Sequence, residues 1–456
     1  MFLYEQMRKV NGKLKTAKKN KAGKFLSPVR RIERVYPLKD RRVCAMTFDD
    51  GPSALPPNPD ISNSGKALTL RICEILDRYD AKGTFDVIGT TSKNYPDQRG
   101  KLHTASWGGK KHDHYPDFEK DSLGGAVNQS QLIKILKESG HQITNHGFHH
   151  VLFGKNRMVY GSRETFKNLK EVVEDLWKLE NEIQAQTGEE MLFSRPPHYI
   201  DQIRDGYTAY DAYALMGYQY LAASFDGGGW MPTKGNYDDD VEAMVAPLRS
   251  ALEKDPNALN GQIIFQKDGF NMSLQTPVVD ALPKQLELLK SYGYEVIRVD
   301  ELVRLSPFED FGEGMEGFNA AKALDNAGYI VGYRNNTFQP DRKITIGELL
   351  TMATPKSYYK MLRETLFLED VPNRLNKVIY RPSYAKNLSY ARSAGYMNRI
   401  GTVNAENEVT MEFMVDFIGG IAKSRDLKEI FLDEPKQNTY TRREAVTILA
   451  SVLLNP

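Results

Sequence analysis

Cysteine is scarce in this chain and long apolar runs are absent. Among 456 residues there are two cysteines, Cys44 and Cys73. Two cannot build a disulfide framework, and both lie in apolar segments, so they read as buried free thiols. No run of about 18 apolar residues occurs, which argues against a transmembrane helix. Behind Met1–Tyr4 there is no apolar stretch of about 7 to 15 residues, so no signal peptide is visible. A charge excess of one sign is missing as well: 61 Lys and Arg stand against 59 Asp and Glu, a formal net charge of +2. Nothing global therefore points to nucleic acid as a partner. The imbalance is local, in a basic N-terminal arm over residues 1–36 that carries Lys18, Lys19, Lys21, Lys24, Arg30 and Arg31 against Glu5 and Glu33. It reads as a solvated arm rather than a contact for an anionic surface. What is present is a soluble globular composition, 41% hydrophobic and 26% charged, long enough for two or three domains.

From about residue 40 to 300, short β-rich runs alternate with amphipathic helical stretches. Strands are expected at Val43–Phe48, Gly83–Ile88, Gln142–Asn145, Tyr218–Ser224, Gln262–Phe265 and Glu295–Val299. Helices are expected at Leu68–Tyr79, Gln131–Ser139, Glu164–Gln186 and Leu282–Ser291, the last with Pro283 in its first turn. This alternation implies an α/β fold with parallel strands, either a barrel or a doubly wound sheet, with its chemistry at the C-terminal strand ends. Residues 93–125 interrupt the pattern as an inserted loop carrying His103, Trp107, His112, His114 and Tyr115. These are candidates to cover a substrate cleft or to lie on a surface loop.

Thr47-Phe48-Asp49-Asp50-Gly51-Pro52 places adjacent carboxylates at such a strand end. A Gly-Pro turn can direct both into one cleft, where one holds a cation and the other takes a proton from water. Taken alone, Asp-Asp-Gly-Pro is also an ordinary loop. His146 and His150 follow another expected strand at a spacing that lets both reach one ion, with His149 as the spare. Two imidazoles and one carboxylate leave coordination positions for water and a substrate oxygen. A structural zinc would add a fourth ligand, commonly Cys, and neither cysteine is near. In Ser194-Arg195-Pro196-Pro197-His198-Tyr199, a guanidinium beside a rigid turn can orient a carboxylate.

In order and spacing these segments resemble the polysaccharide deacetylases of the NodB-homology group, carbohydrate esterase family four. Thr47–Pro52 matches the first motif of that family, His146–His150 the second and Arg195-Pro196-Pro197 the third, within residues 37–305. The resemblance implies a distorted (β/α) barrel and a divalent metal held by Asp50, His146 and His150. It further implies Asp49 as base, Arg195 orienting it, and Pro197, Tyr199 and Trp230 against the substrate. Zinc is the default ion, with cobalt, nickel and manganese also suited to the ligand set. The expected reaction is hydrolysis of N- or O-linked acetyl groups on a polysaccharide, such as peptidoglycan or a chitin-like glycan. The departures lie on the acid side: Asp226-Gly227-Gly228-Gly229-Trp230 keeps the tryptophan but has Gly229 for an acid, and Lys267 replaces the acid histidine. Lys267 is the candidate replacement acid. Gly147 stands where Ser or Thr is preferred, and Asp86 where an aromatic is usual. The alternative reading is a catalytically impaired, wall-associated carbohydrate-binding protein.

Residues 306–456 change style into imperfect repeats at about 306–365, 366–427 and 428–456. They resemble S-layer homology modules, which implies a small all-α domain docking on secondary cell-wall polysaccharide. Thr441-Arg442-Arg443-Glu444 approximates the module signature, which makes Arg442 the candidate glycan contact; Thr345-Ile346-Gly347-Glu348 and Thr410-Met411-Glu412-Phe413 lack the arginine. These modules imply an extracellular, cell-wall-associated protein, despite the absent export signal.

Overall fold

The computed structural model describes residues 29–35, 41–57, 65–91, 105–107, 110–112, 123–154, 164–231, 233, 235–271, 275–330, 332–333, 336–365, 383–397, 403–423 and 438–454. The chain divides into an α/β unit, Val29–Glu313 with Gly332–Phe338, and a second unit that includes Gly314–Val331 and Gln339–Pro456.

Eleven strands are present among the described residues, in chain order: β1 Arg31–Ile32, β2 Val43–Asp49, β3 Thr84–Val87, β4 Ala105–Trp107, β5 Lys110–His112, β6 Gln142–Asn145, β7 Phe193–Ser194, β8 Gln219–Leu221, β9 Phe225–Asp226, β10 Ile263–Lys267 and β11 Glu295–Val296. Nine form one sheet in the order β1-β8-β7-β6-β3-β2-β10-β9, with β11 also on β2. Every pairing in that sheet is parallel. The sheet is a curled, open half-barrel and not a ring; its ends, β1 and β9, are two residues each.

Burial on both faces explains the near-continuous apolar run of β2. All seven residues from Val43 to Asp49 are buried. Phe48 stacks on Phe85 of β3 with ring centroids 4.9 Å apart, on the side where the helix Leu68–Arg78 lies. A Cβ added at Gly83 would meet Phe48, Phe85 and Leu76 of that helix at 2.9–3.2 Å. By strand alternation Thr47 and Asp49 face the opposite, inner side. Below them Ile32, Val35, Val43, Ala45, Ile263 and Val299 belong to a core cluster, leaving the polar chemistry at the C-terminal strand ends.

Several expected elements differ in extent. The strand at Glu295 stops at Val296, because Val299 opens the helix Val299–Leu305. Tyr218–Ser224 contributes only Gln219–Leu221 to a strand. The helix expected from Glu164 starts at Leu169, because Thr165 bridges Leu152 and Asn168 caps the helix by accepting from the Glu171 amide at 2.9 Å. Pro283 is not in a first turn: the helix is Val278–Ser291, so the proline sits inside it and forfeits one helical bond. The helix Tyr237–Lys254, not among those named above, carries Pro247 inside it. Its start was nevertheless marked by the Asn236 cap and Asp238, Asp239 and Asp240 in the first turn. Residues 93–125 contain the antiparallel pair β4–β5, which Trp107 and His112 end; His103, His114 and Tyr115 lie outside the described residues.

The solvated arm is corrected at its C-terminal end. Arg31 and Ile32 pair with Tyr220 and Leu221 of β8. Arg30 is buried and donates through Nη1 to the Pro307 carbonyl at 2.9 Å. Val29, Ile32 and Val35 are buried and draw this stretch onto the sheet; residues 1–28 lie outside the described residues.

The second unit is helical, with Phe318–Asn326, Ile346–Met352, Lys356–Thr365, Ser383–Ser393, Met411–Ala422 and Arg442–Leu453 among its described helices. Thr345, Thr410 and Thr441 cap three of them, with reciprocal Glu348 and Glu444 bonds at the first and third. The residues just before these caps close a ring of backbone bonds. Ile344 donates to the Tyr440 carbonyl at 3.0 Å, Tyr440 to Val409 at 3.3 Å and Val409 to Ile344 at 3.0 Å. That ring joins the three segments that lead into the caps. The opening of the first expected copy, Pro307–Asp310, groups with the α/β unit, where Phe311 stacks on Phe338 at 4.8 Å. Leu368–Val371 and Phe431–Asp433 lie outside the described residues.

Candidate metal centre

At the end of β2 the backbone turns left-handed at Asp50, with φ 78°, a conformation Asp tolerates better than most residues. The turn carries Asp50 to a cluster with His146 and His150. Asp50 Oδ1 lies 3.3 Å from His146 Nε2 and 3.1 Å from His150 Nε2. Ligand atoms about 2.0–2.1 Å from one tetrahedral ion would be about 3.3 Å apart, so the three atoms are spaced as an ion's ligands are. The tautomer follows from the surroundings of His146 Nδ1. It lies 2.9 Å from the Arg195 carbonyl and 2.9 Å from Asp86 Oδ2. A carbonyl and a carboxylate only accept, so Nδ1 keeps its proton in either charge state, and an ion held in the cluster would take the Nε2 lone pair in place of a second proton. A His/Asp cluster suited to a divalent metal is thus present, with Asp50, His146 and His150 placed to hold the ion; Asp49, Asp86 and His146 make a second convergent group beside it.

Asp49, 4% exposed, sits beside this cluster. Its Oδ1 accepts from Arg195 Nη1, and Arg195 Nη2 donates to Thr47 Oγ1 at 3.0 Å. Burial pushes the Asp49 carboxyl up to about 6 although Arg195 and His146 pull it down. Asp50 goes the other way: burial would raise it, but Lys267 and the imidazoles hold it well below the usual range. His146 would be lowered by burial, yet Asp86, Asp50 and Asp49 raise it to about 10. The site therefore separates two neighbouring carboxyls, one close to a proton-accepting range and one firmly ionised.

The segment from His146 to His150 is a turn and not a helix. Gly147 has φ +90°, where a side chain is strained, and its Cβ would lie 3.2 Å from Asp175 Oδ2. Asp175, on the helix Leu169–Thr187, holds the turn. It accepts from the Phe148 amide at 2.7 Å, and its Oδ1 lies 2.6 Å from Nδ1 of the spare His149. Sequence reading passed over Asp175 because it lies 27 residues from Phe148, inside an ordinary amphipathic helix. Asp175→Ala is expected to weaken divalent-metal binding about 10–100-fold, as loss of a support behind a ligand does. Competition against a chelating dye measures this, with Asp175→Asn recovering part of the loss.

Lys267 Nζ lies 2.9 Å from Asp50 Oδ2, so this residue does reach the cluster. Trp230 is held by Asp226, its Nε1 donating to Oδ2 at 3.1 Å. Gly229 has φ +83° and a Cβ there would lie 3.1 Å from Met244 Cε, so the loop follows a path suited to glycine. Pro197 and Tyr199 lie in a short 3-10 turn. The Tyr199 ring packs 5.4 Å from the Arg195 guanidinium carbon, and burial pushes its hydroxyl up to about 12. His198, unassigned from sequence, places its ring 5.3 Å from that of His150. In the second unit Arg442 is buried, with Nη1 3.6 Å from Glu348 Oε2.

Residues 38–220 match the family model described as polysaccharide deacetylase. The peptidoglycan-N-acetylglucosamine deacetylase of Bacillus cereus is 25% identical over 267 residues, covering 58% of this chain and 90% of that protein. Among solved structures, the peptidoglycan deacetylase PdaC from Bacillus subtilis is similar at 19% identity, with 58% of this chain and 90% of that chain covered and a TM-score of 0.36. A CE4 family pseudoenzyme from Bacillus anthracis is similar at 16% identity, 61% and 70% coverage and a TM-score of 0.39. A polysaccharide deacetylase domain of the NodB-homology, carbohydrate esterase family four type thus lies within residues 38–220.

Proposed function

We propose that the α/β unit hydrolyses acetyl groups, N- or O-linked, from a polysaccharide of the peptidoglycan or chitin type. The observation that carries this reading is Asp49, clamped by Arg195, beside the convergent atoms of Asp50, His146 and His150. The relative from Bacillus cereus is named for deacetylating peptidoglycan N-acetylglucosamine, which supports that substrate class. Asp50, His146 and His150 would hold a divalent ion, zinc by default, which when bound would supply Lewis-acid charge for the acetyl carbonyl and for water. Asp49 takes the proton of the attacking water, and Arg195 fixes the carboxylate that receives it. Lys267, its ammonium held against Asp50, delivers a proton to the departing amine or alcohol. Pro197, Tyr199 and Trp230 line the substrate side, and the carboxylate of Asp226 fixes the Trp230 indole.

The second unit we read as S-layer homology-like, docking an extracellular, wall-associated protein on secondary cell-wall polysaccharide. Its support is the ring of bonds joining the three capped helices. Arg442, paired near Glu348, is the proposed anion contact. Arg442→Ala tested for retention on purified wall fragments checks that assignment.

Acetate release is the test of the catalytic reading, from N-acetylglucosamine oligomers, peptidoglycan and acetylated xylan. Release is expected to stop with chelator and to return with zinc or cobalt. A second reading, a carbohydrate binder that has lost turnover, draws on the glycine path at Gly229 and on Lys267 in the acid's place. Stoichiometric metal and glycan binding with no acetate from any substrate would decide for it.

A further inference from the structure

Lys267, Asp49, Asp86 and Thr144 stand in one row across β10, β2, β3 and β6. Adjacent strands are about 4.8 Å apart, so side chains in such a row on one face are neighbours. Asp86 is fully buried. Its Oδ1 accepts from Thr144 Oγ1 at 2.7 Å, and its Oδ2 lies 2.9 Å from His146 Nδ1. His146 Nδ1 has one N–H to divide between Asp86 Oδ2 and the Arg195 carbonyl, each 2.9 Å away, so Oδ2 shares its donor and has no other partner. A carboxylate taken out of water and left partly unpaired is unfavourable unless its charge serves something nearby.

On the other side of Asp49, Lys267 presses an ammonium against Asp50, the carboxylate a metal ion would use. A fixed positive charge there repels a divalent ion. Asp49, Asp50 and Arg195 together carry a formal charge of minus one; Lys267 alone would cancel it, and Asp86 restores it. Asp86 also touches the far nitrogen of His146, the position from which a carboxylate strengthens a ligating imidazole.

We propose that Asp86 is a positioning residue whose negative charge offsets Lys267, so that the cluster binds a divalent ion with the lysine in place. The inference rests on the metal-hydrolase reading for its context, but its measurement is metal affinity, not turnover.

Zinc and cobalt dissociation constants are to be measured by competition with a chelating dye for the wild-type full chain, Asp86→Asn, Lys267→Met and the double variant. Asp86→Asn is expected to bind about 10–100-fold more weakly. Lys267→Met is expected to bind about tenfold or more tightly. The double variant should return to within about threefold of wild type. Asn keeps the shape of Asp86 and an oxygen for Thr144 Oγ1, so a purely structural role predicts unchanged affinity in Asp86→Asn, and that result overturns the proposal. A double variant as weak as Asp86→Asn overturns the proposal. So does unchanged affinity in Lys267→Met, which keeps the test informative if Asp86→Asn fails to fold. The same order of affinities in a protein that releases no acetate would sink the deacetylase reading and leave this inference standing.

Discussion

Asp49→Asn will lower acetate release about 10²–10⁴-fold, the range over which a positioned general base contributes, while divalent-metal binding persists. Asn has the same shape and keeps an oxygen for Arg195 Nη1, so the clamp survives in part. What disappears is the ability to take a proton. In the proposed ligand set Asp49 is not a ligand: Asp50 Oδ1 is 3.3 and 3.1 Å from the two imidazole nitrogens, whereas Asp49 Oδ2 is 3.9 Å from His146 Nε2. Metal retention with activity lost is therefore the signature. The wild-type enzyme should show an acid limb, activity rising with pH, because Asp49 must be ionised to act. Burial pushes that carboxyl up to about 6 in the metal-free protein; a neighbouring divalent ion adds to Arg195 in lowering it. The limb then falls at or below about pH 6. A variant that keeps more than a tenth of wild-type turnover would remove Asp49 from the role of base.

The main architecture was readable because β2 and β10 carry apolar runs, β3 and β6 sit in short β-rich stretches bounded by turn residues, and helices such as Leu68–Arg78 carry one apolar face. Asp49, Asp50, His146, His150 and Arg195 were readable because each stands in a short segment whose chemistry is local. Asp86 and Asp175 act on that same turn and ligand but were not assigned roles. Their significance depends on which residue stands opposite, in the β2–β3–β6 register or across a helix face, and no single segment encodes that pairing. β1 was missed for a related reason: two residues make no period, and only pairing with β8 defines the strand. The turn after Asp50 was legible in Gly51-Pro52 but the left-handed φ of 78° at Asp50 itself was not, and φ +83° at Gly229 shows that the glycine there goes with a different backbone path.

Arg195→Ala is the substitution expected to damage the fold most. The guanidinium is fully buried, and it reaches both Asp49 and Thr47 from the strand-end turn after β7. Removing one partner of a buried ion pair typically costs about 3–5 kcal/mol, because the remaining charge stays desolvated. Here that charge is Asp49, with Asp86 beside it in the same row, so the variant leaves two carboxylates facing one another across two strands. The pH dependence has a definite sign. The folded Asp49 pKa of about 6 already exceeds the ordinary carboxyl value of 3.8, so ionising this group works against the fold as pH rises between those values. Without Arg195 the folded value rises further, and the penalty extends to higher pH. In denaturation of the chelated protein the deficit against wild type should be largest above about pH 6 and should shrink as pH falls towards 4, where Asp49 is protonated in both proteins. A deficit that grows on acidification would mean that Arg195 stabilises the fold through packing and Thr47, not through the carboxylate it clamps.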